Sequence, residues 1–149
     1  MADFEFNVDD FLRGLDMSDK NVRKGAERGM HDVTDNLLQV SRDIAPIDKS
    51  TLRKSASKAV EWNGNAITGE VSFSATESSG KYGRFNYALW THEGVYNHGE
   101  GTMNVPPAQG ISGKTYYAGR KYLERPLKGE SDAYKQIIAE EIRKELDSR

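Results

Sequence analysis

Cysteine is absent from all 149 residues, which excludes disulfide staples, thiolate metal centres and thiol nucleophiles. No apolar run approaches the ~20 residues that span a bilayer. The opening Met-Ala-Asp-Phe-Glu-Phe is acidic where a secretory leader is basic and then apolar. A protein made in a cytoplasm and kept out of membranes is the expectation. Charge of one sign is also missing: the net value is −2, too small to argue for polyanion binding or steering. Histidine occurs only 3 times, and no Gly-x-Ser-x-Gly nucleophile elbow exists. With 36% of the chain hydrophobic and 30% charged, the core is modest, so part of the chain is expected to gain order in an assembly. The length fits one domain, residues 1–149.

Charge falls in blocks. Residues 1–20 carry 2 basic and 6 acidic side chains, residues 21–60 carry 8 and 5, residues 61–100 carry 2 and 5, and residues 101–149 carry 9 and 7. Such alternation suits either solvated faces or an oriented self-complementary interface.

The N-terminal arm, 1–17, contains Phe4, Phe6 and Val8 alternating with Glu5 and Asn7, the pattern of a short edge strand. A long helix is predicted over 18–45. Val22, Ala26, Met30, Val33, Leu37, Val40 and Ile44 form one stripe, Ser18 is a candidate N-cap, and Pro46 ends the helix. Gly25 and Gly29 lie four apart beside the stripe, a cost that close approach of another backbone explains. A hairpin is predicted over 51–75, from Thr51–Trp62 and Ala66–Ala75 joined by Asn63-Gly64-Asn65. In its first strand Lys54 and Lys58 must snorkel; a helical turn through Ser55–Ala59 is the alternative.

Residues 76–86 read as a polar loop. Tyr87-Ala88-Leu89-Trp90-Thr91-His92-Glu93-Gly94 reads as a half-buried central strand. A long arm at 95–120 follows, which lacks periodicity and is expected to gain order only against partners. The last helix, over 130–147, presents Tyr134, Ile137, Ile138, Ile142 and Leu146 on one face, with Ser131 or Asp132 as cap. The expected fold class is α+β: an antiparallel sheet of about three to five strands packed by a long N-terminal helix and a C-terminal helix, with long loops.

No coherent active site emerges. His92 and His98 are six apart across Gly94, whereas a helical zinc-hydrolase motif needs two histidines four apart. Gly110-Ile111-Ser112-Gly113-Lys114-Thr115 ends like a Walker loop but lacks its glycine spacing. No metal, cofactor or catalytic residue is therefore assigned, and the protein is not read as an enzyme. Basic and aromatic residues interleave at Lys81, Tyr82 and Arg84, and again at Tyr116, Tyr117, Arg120 and Lys121. These are the expected interface residues, together with Tyr96. A nucleic-acid-binding module using Lys81, Arg84, Tyr116, Arg120 and Lys121 is the alternative.

Three separated segments point to one family. Ile44-Ala45-Pro46-Ile47-Asp48-Lys49-Ser50-Thr51-Leu52-Arg53-Lys54-Ser55 resembles the Ala-Pro-x-Asp-Thr-Gly-x-Leu-Arg-x-Ser signature of tailed-bacteriophage tail-completion and head–tail connector proteins, often labelled minor capsid proteins. Tyr87-Ala88 through His92-Glu93-Gly94 resembles that family's Tyr-Ala…Glu-x-Gly strand, with Glu93 and Gly94 adjacent rather than separated. Tyr122-Leu123-Glu124-Arg125-Pro126-Leu127 is similar to its aromatic-Leu-x-x-Pro/Ala-Leu segment. Lys49-Ser50 stands where the family has Thr-Gly, and Gly101-Thr102 comes later than the family's Gly-Thr. The resemblance implies a virion structural protein of the neck, without catalysis. It implies a homo-oligomeric ring, with a hexamer as one candidate, that meets a head connector or adaptor on one side and tail terminator or tube proteins on the other. DNA would at most line its channel.

Overall fold

A computed structural model of the chain describes residues 2–7, 15–16, 18–46, 50–74, 76–79, 83–86, 92–93 and 104–148, with backbone alone for 2–7, 50–51, 76–79 and 83–86. In chain order these form strand β1 (Ala2–Asn7), helix α1 (Lys20–Ile44), a short helix α2 (Ser50–Lys54), and strands β2 (Ser57–Asn63), β3 (Ala66–Phe73), β4 (Thr76–Ser79) and β5 (Gly83–Asn86). Two very short strands follow, β6 (Ala108–Gln109) and β7 (Thr115–Tyr116), then helices α3 (Glu124–Gly129) and α4 (Ser131–Asp147). The class is α+β, as the sequence predicts.

The α1 stripe folds as its spacing requires, with Val22, Ala26, Met30, Val33, Leu37, Val40 and Ile44 all buried. Its cap is one residue later than expected. The Asp19 carboxylate accepts from the Asn21 and Val22 N–H groups at 2.8 and 3.3 Å, while Ser18 donates to Asp16. At the other end Ala45 is extended (φ −65°, ψ 141°), the geometry that a following proline imposes.

The main sheet has the order β1-β3-β2 and is antiparallel throughout. β1 is the edge strand that its alternation predicts. Ile67, Gly69, Val71 and Phe73 of β3 point inward and are buried. Gly69 is small for a reason: a Cβ there would meet Met30 Sδ and Thr34 Cγ2 at 2.5 Å, so its absence lets α1 lie close on the sheet. On the opposite face of α1, Cβ atoms at Gly25 and Gly29 would meet the Cα atoms of Ile142 and Ile138 at 2.5 and 2.8 Å. The backbone approach expected of these glycines is therefore made by α4. Three layers result: sheet, α1 and α4, with α1 in the middle. The hairpin turn is also sharper than Asn63-Gly64-Asn65 suggests. Only Gly64 takes positive φ (+62°), and Asn63 pairs directly with Ala66, so Gly64 and Asn65 make the two-residue loop.

Several expectations give way. The strand predicted from Thr51 starts at Ser57, because residues 50–54 coil into α2 and bury Leu52. Lys58 does snorkel, reaching Asp35 at 2.5 Å from the inner edge of β2, whereas Lys54 stands exposed at the end of α2. The polar loop predicted over 76–86 contains the paired strands β4 and β5, because ladder hydrogen bonds need no apolar alternation. Among the described strands the centre of the sheet is β3. Of the 87–94 stretch only His92 and Glu93 lie within the described residues, and their backbone is helical. Of the arm predicted over 95–120, residues 104–120 are ordered against the chain's own core, and residues 95–103 lie outside the described residues.

Candidate interaction surface

The C-terminal end of α1 is a junction of four backbone segments. The Arg53 guanidinium donates to the Ala45 carbonyl from Nε and Nη2 (3.0 and 2.8 Å) and to the Asp43 carbonyl at 2.9 Å. It thereby satisfies carbonyls that the helix end leaves without partners. Burial pulls this guanidinium below its ordinary pKa, and the Asp43 carboxylate opposes the shift. The Gly119 N–H donates to the Ile44 carbonyl at 3.1 Å, tying the segment before Tyr122 to the same helix end.

His92 joins the junction from the other side. Its side chain is 1% exposed, its carbonyl accepts from the Lys121 N–H at 2.6 Å, and its Nε2 accepts from the Glu124 N–H at 3.4 Å. Nδ1 lies 3.1 Å from Glu93 Oε1. An acceptor at Nε2 and a carboxylate at Nδ1 together define the neutral, Nδ1-protonated tautomer. Burial lowers the pKa of the ring, against the raising effect of Glu93. Tyr122 stacks edge-on between His92 and Phe73, with centroids 5.0 Å from each.

A charged chain runs across the outside of the junction. Lys121 Nζ reaches Glu93 at 2.8 Å and Glu124 at 3.0 Å, and Lys128 reaches Glu124 at 2.8 Å. The ammonium groups of Lys128 and Lys121 hold the Glu124 carboxyl down to about 2. Lys121 has φ +53°, a left-handed conformation that costs a non-glycine residue about 1–2 kcal/mol. Its two carboxylate partners and its bond to the His92 carbonyl hold it there. The outcome is a rigid knuckle over Tyr117–Lys121, closed by Arg125, whose guanidinium donates to the Arg120 and Tyr117 carbonyls at 2.9 and 2.8 Å. A shallow depression lined by Tyr117, Ala118, Gly119, Arg120, Lys121 and Arg125 opens on its surface.

The expected interface residues divide accordingly. Tyr117 is 66% exposed and Arg120 is exposed beside it. Tyr116 is not available for contact. It is buried, and its hydroxyl donates at 2.9 Å to Glu130, a fully buried carboxylate that also accepts from the Ser112 N–H at 2.9 Å and from the Ser112 hydroxyl. Burial, with the Glu130 hydrogen bond, pushes the Tyr116 phenol up to about 12. This anchor, with Lys114 Nζ on the Gly129 carbonyl at 2.9 Å, is what orders the segment that lacks periodicity. Arg84 lies in β5, and Lys81, Tyr82 and Tyr96 lie outside the described residues, as does His98. Among the described residues no three His, Asp or Glu side chains cluster as a metal site requires, and no described helix is long and apolar enough to cross a membrane.

Sequence reasoning missed Arg53 as a helix-end donor, Glu130 as a buried anchor and Arg125 as the clamp of the knuckle. Only Arg53 carried a signal, as the arginine of the Leu-Arg pair. No protein-family model, curated protein or solved structure matches the chain.

Proposed function

We propose that this chain is a structural protein of the tailed-phage neck, a tail-completion or head–tail connector subunit that works in the virion as an oligomeric ring. The observation that carries this reading is the meeting of the three segments of the resemblance at one junction. The segments 44–55, 87–94 and 122–127 are far apart in sequence, yet the Glu124 N–H of the third donates to His92 Nε2 of the second, and two residues just before the third, Lys121 and Gly119, donate to the His92 and Ile44 carbonyls of the other two. If the segments make one structural unit, a shared pattern of residues at all three follows without any shared chemistry. The exposed Tyr117–Arg120 knuckle supplies a contact of the residue types that dominate protein interfaces.

The nucleic-acid alternative retains less. Of its proposed residues, Lys81 lies outside the described residues and Arg84 is described by its backbone alone; of the other three, Tyr116 is buried on Glu130, Lys121 is paired with two carboxylates, and Arg120 is exposed. Binding that weakens steeply with salt would revive it.

The test is a phage in which this chain carries Tyr117→Ala and Arg120→Ala. Heads and tails should form normally and fail to join, while the purified variant melts as the parent does. Normal particles at full infectivity would falsify the assignment.

A further inference from the structure

The knuckle and the outward face of the sheet lie beside opposite ends of α1 and differ in character. The knuckle is bonded to Ile44 at the C-terminal end. Among the described residues, the Arg120 and Arg125 guanidiniums donate to carbonyl oxygens and to no carboxylate, so their positive charge is not offset by an ion pair. At the N-terminal end, Arg23 stacks 3.9 Å over the Trp62 ring and donates to the Gly64 carbonyl, which fixes the β2–β3 turn beside the first turn of the helix. The outward face of the sheet at that end holds a second depression, lined by Ala59, Glu61, Trp62, Asn63, Thr68 and Glu70. The outward positions of β2 and β3 are Ser57, Ala59, Glu61, Asn63, Ala66, Thr68, Glu70 and Ser72, none of them a lysine or arginine, and Glu61 is the carboxylate nearest the turn. Arg23 and Ile44 are separated by ~32 Å of helix at 1.5 Å per residue. A basic, tyrosine-bearing knuckle and the Glu61 strip of the sheet, so far apart, cannot meet within one subunit, but they can meet between two.

We infer that the Tyr117–Arg125 knuckle of one copy docks on the Glu61 end of the sheet of the next, a head-to-tail contact between copies of this chain. Tyr117 covers the Ala59–Thr68 depression, and the Glu61 carboxylate faces Arg120 and Arg125. The two patches differ, so the contact is heterologous and propagates in one direction, closing into a ring when the rotation per subunit permits. The knuckle is already held by Lys121 and Arg125, so little conformational freedom is lost on docking. This contact deepens the ring reading above and rests on it for its biological setting, but it is a property of the purified chain.

The absence of cysteine makes the contact directly testable. Tyr117→Cys and Asn63→Cys variants are prepared separately, mixed at about millimolar concentration, where weak contacts are populated, and oxidised. The mixture should yield the 117–63 heterodimer in excess of either homodimer, and a chain bearing both substitutions should give a covalent ladder. Arg120→Glu in the Tyr117→Cys partner should lower the heterodimer yield by about tenfold, and Glu61→Arg in the Asn63→Cys partner should restore it. No heterodimer above the homodimer background, or a yield indifferent to Arg120→Glu, overturns the contact. A ladder together with normal phage from the Tyr117→Ala/Arg120→Ala variant keeps the contact and removes the neck assignment. Unjoined particles without a ladder do the reverse.

Discussion

His92 and Glu130 show how single buried groups hold together a segment whose sequence has no pattern. His92 is neutral in the fold and accepts at Nε2, and burial has lowered its pKa. The unfolded chain therefore takes up a proton near the ordinary value of about 6.5 while the folded chain does not. Its contribution to stability is complete above that value and is lost as pH falls below it toward the lowered folded pKa. Urea midpoints measured from pH 7 to pH 5 should decline, and His92→Phe, less stable at pH 7, should flatten the decline in that window. Tyr116 works in the opposite range. A phenol raised to about 12 stabilises the fold below pH 10, and that contribution disappears as pH rises through 10 to 12. Glu130→Ala strands the Ser112 N–H and the Tyr116 hydroxyl and should cost about 3 kcal/mol. Tyr116→Phe should cost about 1 kcal/mol, both read from urea denaturation. Nothing in the local sequence marks Glu130, because its role depends on partners 14 and 18 residues away.

At the scale of elements, α1 and the β2–β3 hairpin were legible because each is specified by neighbours in sequence. The helical stripe, the period of two in β3 and the Gly64 turn are local patterns. Gly64→Ala isolates the turn term cleanly. No atom lies within 4 Å of the Cβ it would add, so only the positive φ is penalised, by about 1 kcal/mol in thermal or urea unfolding. Gly25→Ala separates two effects of opposite sign. Helix propensity alone would stabilise by about 1 kcal/mol. The new methyl would meet the Ile142 Cα and Glu141 carbonyl of α4 at 2.5 and 2.7 Å, contacts that only a backbone shift can relieve. We expect a net loss of about 1–3 kcal/mol in denaturant, with helical circular dichroism retained. A gain would mean that α1 and α4 are not in backbone contact. The β4–β5 pair and the short β6–β7 ladder were illegible because backbone hydrogen bonds, rather than side-chain periodicity, define them.

In the whole molecule, α1 divides the protein into a sheet side and an α4 side and separates the two candidate contact surfaces along its length. Substitutions at the exposed Tyr117, Arg120, Glu61 and Asn63 should leave unfolding unchanged within about 0.5 kcal/mol, which Tyr117→Ala/Arg120→Ala checks in urea before any assembly experiment. The candidate surface was half legible. Tyr117 and Arg120 stood out as aromatic and basic residues together, but Tyr116 carries the same signal and faces inward. A dipeptide of tyrosines does not say which ring the fold will bury. Arg125 was hidden because its guanidinium closes a knuckle formed only when Gly119 is bonded to Ile44.

The sequence by itself determined the fold class, the long helix with its two close-approach glycines, the hairpin and the last helix, because period, caps and turn residues act over a few neighbours. Tertiary structure alone decided that β3 is central among the described strands, that His92 and Glu130 are buried anchors, and that residues 104–120 pack on their own core. Those outcomes depend on hydrogen bonds and burial between segments distant in the chain, whose free energy no local window contains.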